Sequence, residues 1–312
     1  MRRLCLLILL LNTHFGARSE QLTFSKTTVG KDINLHYQWL DHNKQSQNLS
    51  FSLPKLQVNQ QVQRKFVPEL AQQYVFIELH KAARRIDPRE ARVKIQHVAK
   101  DIRVKVKSRS AKLRQKWQLS MQASQKKAFD QYLSDNYYSR FRTHLNQQGL
   151  KPDHLRYIVE NKAPLLPLAR AVLDKLPPAS GARAYVNLML SWVQSIPYNV
   201  LENRLESNGA GYLPPLSVVA NNQGDCDSKS ALMATLIRTL LPEVKMVMMY
   251  LPNHALLGIS LPSQVHEQTF KIAGTDYLMM EPTGPALMTL GTIAPRSTSD
   301  IASAMYSYES IP

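Results

Sequence analysis

The sequence predicts an α+β fold, and three of its patterns support this class. Apolar and polar residues alternate in short stretches before position 110, as in residues 33–39, which is typical of strands with one buried face. Beyond that position, apolar residues recur at helical spacing. Three short apolar runs follow near the carboxyl end, at residues 244–251, 255–261 and 277–280, and these indicate further strands.

The chain has 312 residues, 44% of them apolar, which is enough for one large domain or two ordinary ones. We divide it into five segments. They are a signal peptide (1–19), a β-rich basic accessory domain (20–110), connecting helices (111–150), a core domain (151–292) and a carboxyl-terminal tail (293–312).

The amino terminus has the pattern of a secretory signal peptide. A basic head, Met1-Arg2-Arg3, precedes the apolar run 4–11 and a plausible cleavage region at Ala17-Arg18-Ser19. Crossing a bilayer takes about 20 apolar residues, so this run is too short to span one. An uncleaved anchor is the alternative. The pattern predicts an exported protein without a transmembrane span after cleavage.

Cysteine usage supports a reactive thiol. Cys5 lies inside the predicted signal, so the mature chain would carry Cys226 alone. Structural cysteines of exported proteins are mostly paired. A lone thiol is easier to keep reduced in a periplasm than outside the cell, which favours a periplasmic location. A buried cysteine that acts as a small hydrophobe is the alternative.

Charge is the second global feature. The net charge is +16, and loss of Arg2, Arg3 and Arg18 with the signal would reduce it to +13. Between residues 84 and 127, fifteen Lys and Arg residues stand against three acids. Such a field attracts anionic partners, which for an exported protein points to a cell-envelope polymer. Aromatic interleaving of the kind that binds nucleic acid is absent from this stretch, so no nucleic acid is expected. A solvated face is equally compatible.

Local patterns assign most of the remaining elements. Residues 49–53 and 93–106 read as strands, and 67–83 fits either a helix or a strand. Helical spacing over 110–142 predicts one or two helices. The Ser- and Thr-rich tail predicts a poorly ordered end unless Met305, Tyr306 and Tyr308 dock.

The loop 221–225 leads into an apolar periodic stretch that predicts a helix beginning at Cys226 and stopped by Pro242. The first turn of a helix carries unpaired N–H groups and partial positive charge. These would lower the pKa of a thiol and could stabilise an oxyanion. Neighbouring acids at 225 and 227 act in the opposite direction.

A nucleophile needs a base and a group to orient that base, and the chain downstream supplies both types. His254 lies between two predicted strands. Glu281 ends the third apolar run, directly before Pro282-Thr283.

This order of Cys at a helix start, His on a following strand and a carboxylate before Pro-Thr resembles the transglutaminase-like cysteine enzymes of the papain-like group, of the bacterial exported type. The resemblance covers about residues 185–285. It implies a helix carrying the cysteine packed on an antiparallel sheet. It also implies a catalytic triad, with Cys226 as nucleophile, His254 as base and Glu281 as orienting acid.

The chain differs from the family pattern in three places. Glu281 replaces the usual Asp, Leu256 and Leu257 stand where an aromatic follows the His, and the gap between His and acid is longer. That gap makes Asp276 an alternative acid.

In these enzymes a helix that closes with an Ile-Pro-Tyr segment packs beside the cysteine helix. Tyr198 could therefore reach the cleft, where Gln223 is a second candidate for oxyanion binding and the backbone N–H of Cys226 a third.

The resemblance implies an acyl-transfer enzyme that acts on amide bonds of a protein or cell-wall peptide. Either water or an amine would take the acyl group, giving a hydrolase, such as a peptidase or amidase, or an acyltransferase; we favour hydrolysis. The alternative from another class is a catalytically impaired binding or scaffold protein, which holds an anionic partner through its basic domain.

Cofactor chemistry has no signature in the sequence. Metal-binding, phosphate-loop and calcium-loop motifs are absent. His36, His80 and His97 have no metal-ligand spacing. A cysteine triad needs no cofactor, so none is predicted.

Overall fold

The structure, a computed structural model, describes residues 18–98, 101–202 and 211–312. It is a mixed α+β protein, which confirms the predicted fold class. The segment 1–17 lies outside the described residues. It contains Cys5 and most of the predicted signal peptide.

An antiparallel three-stranded sheet comes first in the described chain. Its strands are β1 (Glu20–Val29), β2 (Asp32–Leu40) and β3 (Ser46–Pro54), in that spatial order. The hydroxyl of Tyr37 donates to the carbonyl of Val219, and Trp39 Nε1 donates to Ser191 Oγ over 3.0 Å. The buried residues of β2 and β3 join the main hydrophobic core. This sheet is therefore part of the core, although the sequence analysis assigned it to an accessory domain.

A second hydrophobic cluster forms around the next elements. Beyond the short helix α1 (Lys55–Asn59), whose Val58 packs against the main core, these elements are α2 (Pro68–Arg84), β4 (Arg92–Val98), β5 (Asp101–Lys107) and α3 (Ala111–Asp135). The stretch 67–83, which fits two patterns in the sequence, is helical. Val75 of α2, Val106 of β5 and Met121 of α3 are buried together in this cluster. We call the elements of this cluster, residues 68–135, the basic unit. The basic unit continues past the predicted boundary at residue 110, because α3 supplies part of its core.

The helical pattern of 110–142 ends earlier than predicted. Tyr137 has a φ of 58°, in the left-handed region, and the helix stops before it. A hairpin of β6 (Tyr138–Arg142) and β7 (Gln148–Pro152) follows.

Helices then build the body of the core. They are α4 (His154–Asn161), α5 (Leu166–Leu173), α6 (Ala182–Ser195), α7 (Pro215–Asn221) and α8 (Cys226–Leu240). Leu232, Leu236 and Ile237 of α8 are fully buried. The apolar periodicity that predicts this helix is therefore directed into the core.

A five-stranded antiparallel sheet carries the rest of the site. It contains β8 (Met246–Leu251), β9 (His254–Ile259), β10 (Thr269–Ile272) and β11 (Thr275–Met280). After α9 (Pro295–Ala302), the fifth strand is β12 (Ser307–Ile311), and the order is β10-β11-β9-β8-β12. One face, including Leu257 and Met280, joins the core that contains α8. The other face, including Leu256 and Met279, packs with Ile301 of α9.

The carboxyl terminus completes this sheet. Ile311 is buried and lies opposite Met246 in the pairing of β12 with β8. Tyr306 packs against the cluster that contains Ile301, and Tyr308 lies opposite Met249. The end of the chain is thus an ordered edge strand, which is the case that the sequence allows if these residues dock. Among the described residues no helix combines the length and apolar character needed to cross a membrane.

Candidate active site

Cys226 is the first residue of α8, which confirms the predicted helix start. The side chain of Asp225 caps the helix by accepting the N–H of Ser228 over 2.9 Å. Cys226 is half-buried and is not in a disulfide. The sulfur therefore lies at a helix amino terminus that is partly open to solvent.

His254 begins β9 immediately after a tight turn. Leu251 of β8 pairs with His254, so only Pro252 and Asn253 connect the two strands. Proline fixes φ near −65°, and Asn253 has a φ of 62°, which together are the requirements of a type II turn. This two-residue connection fixes His254 at the end of the strand.

Glu281 directly follows β11, the other neighbour of β9. Met280 lies opposite Leu257 in this antiparallel pair, so the next residue, Glu281, lies opposite Leu256. Leu256 and His254 are two residues apart and share one face of the sheet. In agreement with this register, Glu281 Oε2 lies 3.8 Å from His254 Nε2.

The Glu281 carboxylate is held in place by residues that the sequence analysis did not identify. Its Oε1 accepts the N–H of Ala294 over 3.1 Å and the hydroxyl of Ser297. Burial raises the pKa of Glu281, but the neighbouring His254 imidazole and the hydrogen bonds from Ser297 and Ala294 outweigh burial, and the net pKa is lowered. Because its pKa is lowered, the Glu281 carboxylate that faces the imidazole is charged. Gln194 Nε2 also donates to the backbone carbonyl of Glu281 over 2.9 Å.

Asp276, the alternative acid, does not approach His254. It is exposed near the start of β11 and lies opposite Lys271 of β10. Glu281 lies five positions further along the chain, about 16 Å away along an extended strand. Of the two candidate acids, the structure brings only Glu281 to the histidine.

The Cys226 thiol faces a different carboxylate. Its Sγ donates to Asp227 Oδ1 over 3.6 Å, and within the described chain no hydrogen bond joins the sulfur to the His254 ring. Burial, followed by the charges of Asp227 and Asp225, raises the pKa of the thiol, and the backbone N–H of Ala255 opposes this. The expected lowering of the pKa by the helix terminus is therefore overturned in this conformation.

Tyr198 and Gln223 both lie at the loop before Cys226. Tyr198 forms a parallel bridge with Gly224, and its side chain is exposed. Burial and the charges of Cys226, Asp225 and Asp227 raise the pKa of Tyr198, so its hydroxyl keeps its proton. Gln223 Oε1 accepts from Asn199 Nδ2 over 3.1 Å. The segment after α6 thus borders the site, as the resemblance implies.

Lys229, one turn into α8, is a further residue that the sequence analysis missed. It is fully buried, and its Nζ donates to the carbonyls of Ile196 and Thr283. Burial lowers the pKa of Lys229 to about 7. The lysine ties the cysteine helix to the end of α6 and to the loop after Glu281. Only its helical spacing of three and seven residues from Leu232 and Leu236 could have indicated a buried role.

Comparisons with protein-family models, with curated proteins and with solved structures found no match to this chain. In the described part of the chain, no group of three or more His, Cys, Asp or Glu side chains is arranged to hold a metal ion.

The cap of α8 predicts a pH-dependent cost. Burial, together with Asp227, raises the pKa of Asp225 from 3.8 to about 7. The folded protein therefore binds this proton more tightly than the unfolded chain, and the wild type loses stability as the pH rises from about 4 to about 7. Asp225→Asn keeps a capping side chain without the charge. Relative to wild type, the variant should gain up to about 4 kcal/mol across this window.

Urea unfolding at several pH values between 4.5 and 7.5 measures this gain. Asp153→Asn is the matched control, because the half-buried Asp153 caps α4 by accepting the N–H of Arg156. A stability difference between Asp225→Asn and wild type that stays constant with pH would contradict the assignment.

Proposed function

We propose that the protein is a cysteine-dependent acyl-transfer enzyme with a papain/transglutaminase-like core, acting on amide bonds of a protein or cell-wall peptide. One observation carries the proposal. Cys226 begins a buried helix whose Ser230 hydroxyl donates to the Ala255 carbonyl over 3.3 Å, and His254, the residue before Ala255 on β9, lies 3.8 Å from Glu281. Nucleophile, base and orienting acid are the three parts that such catalysis needs.

The proposed reaction begins with a change in the thiol's orientation. The Cys226 side chain turns from Asp227 toward His254, and the imidazole takes the thiol proton. The thiolate then attacks the amide carbon, and the developing oxyanion is stabilised by the backbone N–H of Cys226, with Gln223 and Tyr198 as further candidate donors. His254 returns the proton to the leaving amine as the C–N bond breaks, which leaves a thioester on Cys226.

Glu281 has two roles in this scheme. It holds the imidazole through Nε2, which leaves Nδ1 for the sulfur, and it stabilises the imidazolium formed by proton transfer. The Ser297 hydroxyl and the Ala294 N–H fix the carboxylate for both roles. Water or an amine then attacks the thioester, with His254 as the base. We favour water, because a basic unit beside the core suits an enzyme that holds an anionic polymer while it cuts.

A catalytically impaired scaffold is the alternative. The orientation of the thiol toward Asp227 favours it, as do the Glu at position 281 and the missing aromatic after His254. The chemistry of the thiol separates the two functions.

The proposed location is outside the cytoplasm, with the periplasm favoured. Its support is the signal-peptide pattern in the sequence together with the single cysteine beyond it.

An anionic cell-envelope polymer is the proposed partner of the basic unit. In the β4–β5 hairpin, Arg92 lies opposite Lys107, Lys94 opposite Lys105, and Gln96 opposite Arg103. These side chains share the exposed face, and none of the ion pairs in the described part of the chain involves the five cations. Like charges placed opposite each other cost roughly 0.2–1 kcal/mol per pair. A bound polyanion would offset this cost.

The proposed activity predicts a thiol that depends on His254. In the wild type, iodoacetamide should alkylate Cys226 well below pH 8, because the imidazole takes the proton. His254→Ala should slow the reaction at pH 7 by about tenfold or more, and Glu281→Gln by less. His266→Ala and Asp276→Asn, at exposed positions, should leave the pH profile unchanged. If wild type, His254→Ala and Glu281→Gln all titrate alike, the scaffold function replaces the enzyme.

The hairpin predicts salt-dependent binding to a polyanion, with dextran sulfate as the probe. Replacing Lys94, Arg103 and Lys105 with Gln should weaken binding by about 1 kcal/mol per charge and lower the salt concentration needed for elution. The control replaces Lys31, Lys55 and Lys271, exposed elsewhere, and removes the same net charge. If both triple variants lose the same binding free energy, the hairpin contributes only through net charge. Binding of the wild type that does not change with salt concentration would exclude the hairpin as a polyanion site.

A further inference from the structure

A second histidine lies behind the cysteine. His154, at the first position of α4, is fully buried, and its ring packs beside those of Tyr212 and Tyr250. Its Nε2 is 3.6 Å from Asp227 Oδ2 and has no hydrogen-bond partner. The other oxygen of the same carboxylate accepts from the Cys226 thiol. Asp227 therefore lies between the sulfur and a buried imidazole.

The direction of the surrounding hydrogen bonds fixes the tautomer of this ring. Glu309 Oε2 lies 2.7 Å from Lys151 Nζ and accepts the hydroxyl proton of Tyr250 over 2.7 Å. The Tyr250 oxygen lies 2.9 Å from His154 Nδ1. Because the tyrosine has a single proton, which goes to Glu309, its oxygen must accept the Nδ1–H of His154. In the neutral ring, Nε2 is then an acceptor.

An acceptor nitrogen that faces an ionised carboxylate at this distance is unfavourable away from water. One proton between the two groups removes the conflict. Burial and the charge of Lys151 lower the pKa of His154, and burial raises the pKa of Asp227. Both pKa shifts favour the uncharged form of each group. In that state the Asp227 carboxyl carries the proton and donates it to Nε2 of His154.

We propose that His154 and Asp227 share one proton and form a net-neutral pair, which keeps a second negative charge away from the Cys226 sulfur. This role rests on the proposed function, in which Cys226 reacts as a thiolate. His154 acts through Asp227 and is a positioning residue. Together with Tyr250 and Glu309, the pair continues the hydrogen-bonded line from the thiol to the Lys151 ammonium.

In the described part of the chain, seven titratable or charged side chains besides Cys226 surround the pair. They are Lys151 on β7, Tyr198 after α6, Tyr212 before α7, Asp225 at the cap of α8, Tyr250 on β8, His254 on β9 and Glu309 on β12. Lys151 and Glu309 form an ion pair and largely cancel each other. The charge nearest the sulfur is therefore set by Asp227, whose Oδ1 lies 3.6 Å from Sγ.

Four proteins test the pair: wild type, His154→Phe, Asp227→Asn and the double variant. Phe keeps an aromatic ring between Tyr212 and Tyr250 but has no nitrogen. Asn keeps the size of Asp227 and can donate an N–H to Nε2, as the protonated acid does. The readout is the pH midpoint of Cys226 alkylation by iodoacetamide.

His154→Phe should raise the midpoint by about one pH unit or more, because Asp227 then ionises beside the sulfur. Asp227→Asn should not raise it, and the double variant should return to the Asp227→Asn value. A His154→Phe midpoint equal to wild type would overturn the proposal. So would a double variant that keeps the full rise, since the rise would then come from altered packing.

A second measurement covers the case in which His154→Phe does not fold. Nitrogen-15 NMR of the unsubstituted protein should find a proton on Nδ1 of His154 near pH 7, and a bare Nδ1 would overturn the proposal. His254→Ala in the same alkylation series reports on the proposed function alone. If that variant changes nothing, acyl transfer fails, while the comparison of His154→Phe with the double variant still reports on the pair.

Discussion

The burial of the first turn of α8 is the constraint on which the rest of the site depends. The helix packs into the core between α4, α5, α6, α7 and the five-stranded sheet, so each polar group in its first turn needs a partner close by. Asp225 caps the N–H of Ser228, Lys229 reaches the Ile196 and Thr283 carbonyls, and Asp227 lies between the thiol and His154. These contacts fix the cysteine relative to the strands that carry His254 and Glu281.

The register of the five-stranded sheet positions the other two residues of the candidate site, His254 and Glu281. A two-residue turn sets His254 at the start of β9, and antiparallel pairing with β11 brings Glu281 onto the same face. The tail then secures the acid, because Ser297 and Ala294 bind the carboxylate while β12 closes the other edge of the sheet. Segments far apart in sequence thereby converge on one imidazole.

Local pattern predicted those parts of the fold whose cause is local. The start of α8 at Cys226 and its end before Pro242 follow from capping and apolar spacing, and the strands around His254 follow from short apolar runs. The sequence does not show which elements pack together over long distances in the chain. The alternating pattern around Tyr37 is the same whether its sheet is separate or packs against Val219. β12 has few apolar residues, and it is a strand because it pairs with β8. Likewise, the order of Cys226, His254 and Glu281 along the chain predicts the candidate site, whereas His154 and Ser297 reach it only through folding.

The proposed enzyme differs from a scaffold in one step, in which Cys226 accepts an acyl group with help from His254. The most direct measurement is pre-steady-state reaction of the full chain with p-nitrophenyl acetate, followed by mass spectrometry of the modified peptide. We expect a burst of p-nitrophenol near one equivalent per chain, an acetyl group on Cys226, and loss of the burst in His254→Ala. A burst that persists in Cys226→Ala, or a wild type that releases p-nitrophenol no faster than His254→Ala, would contradict it.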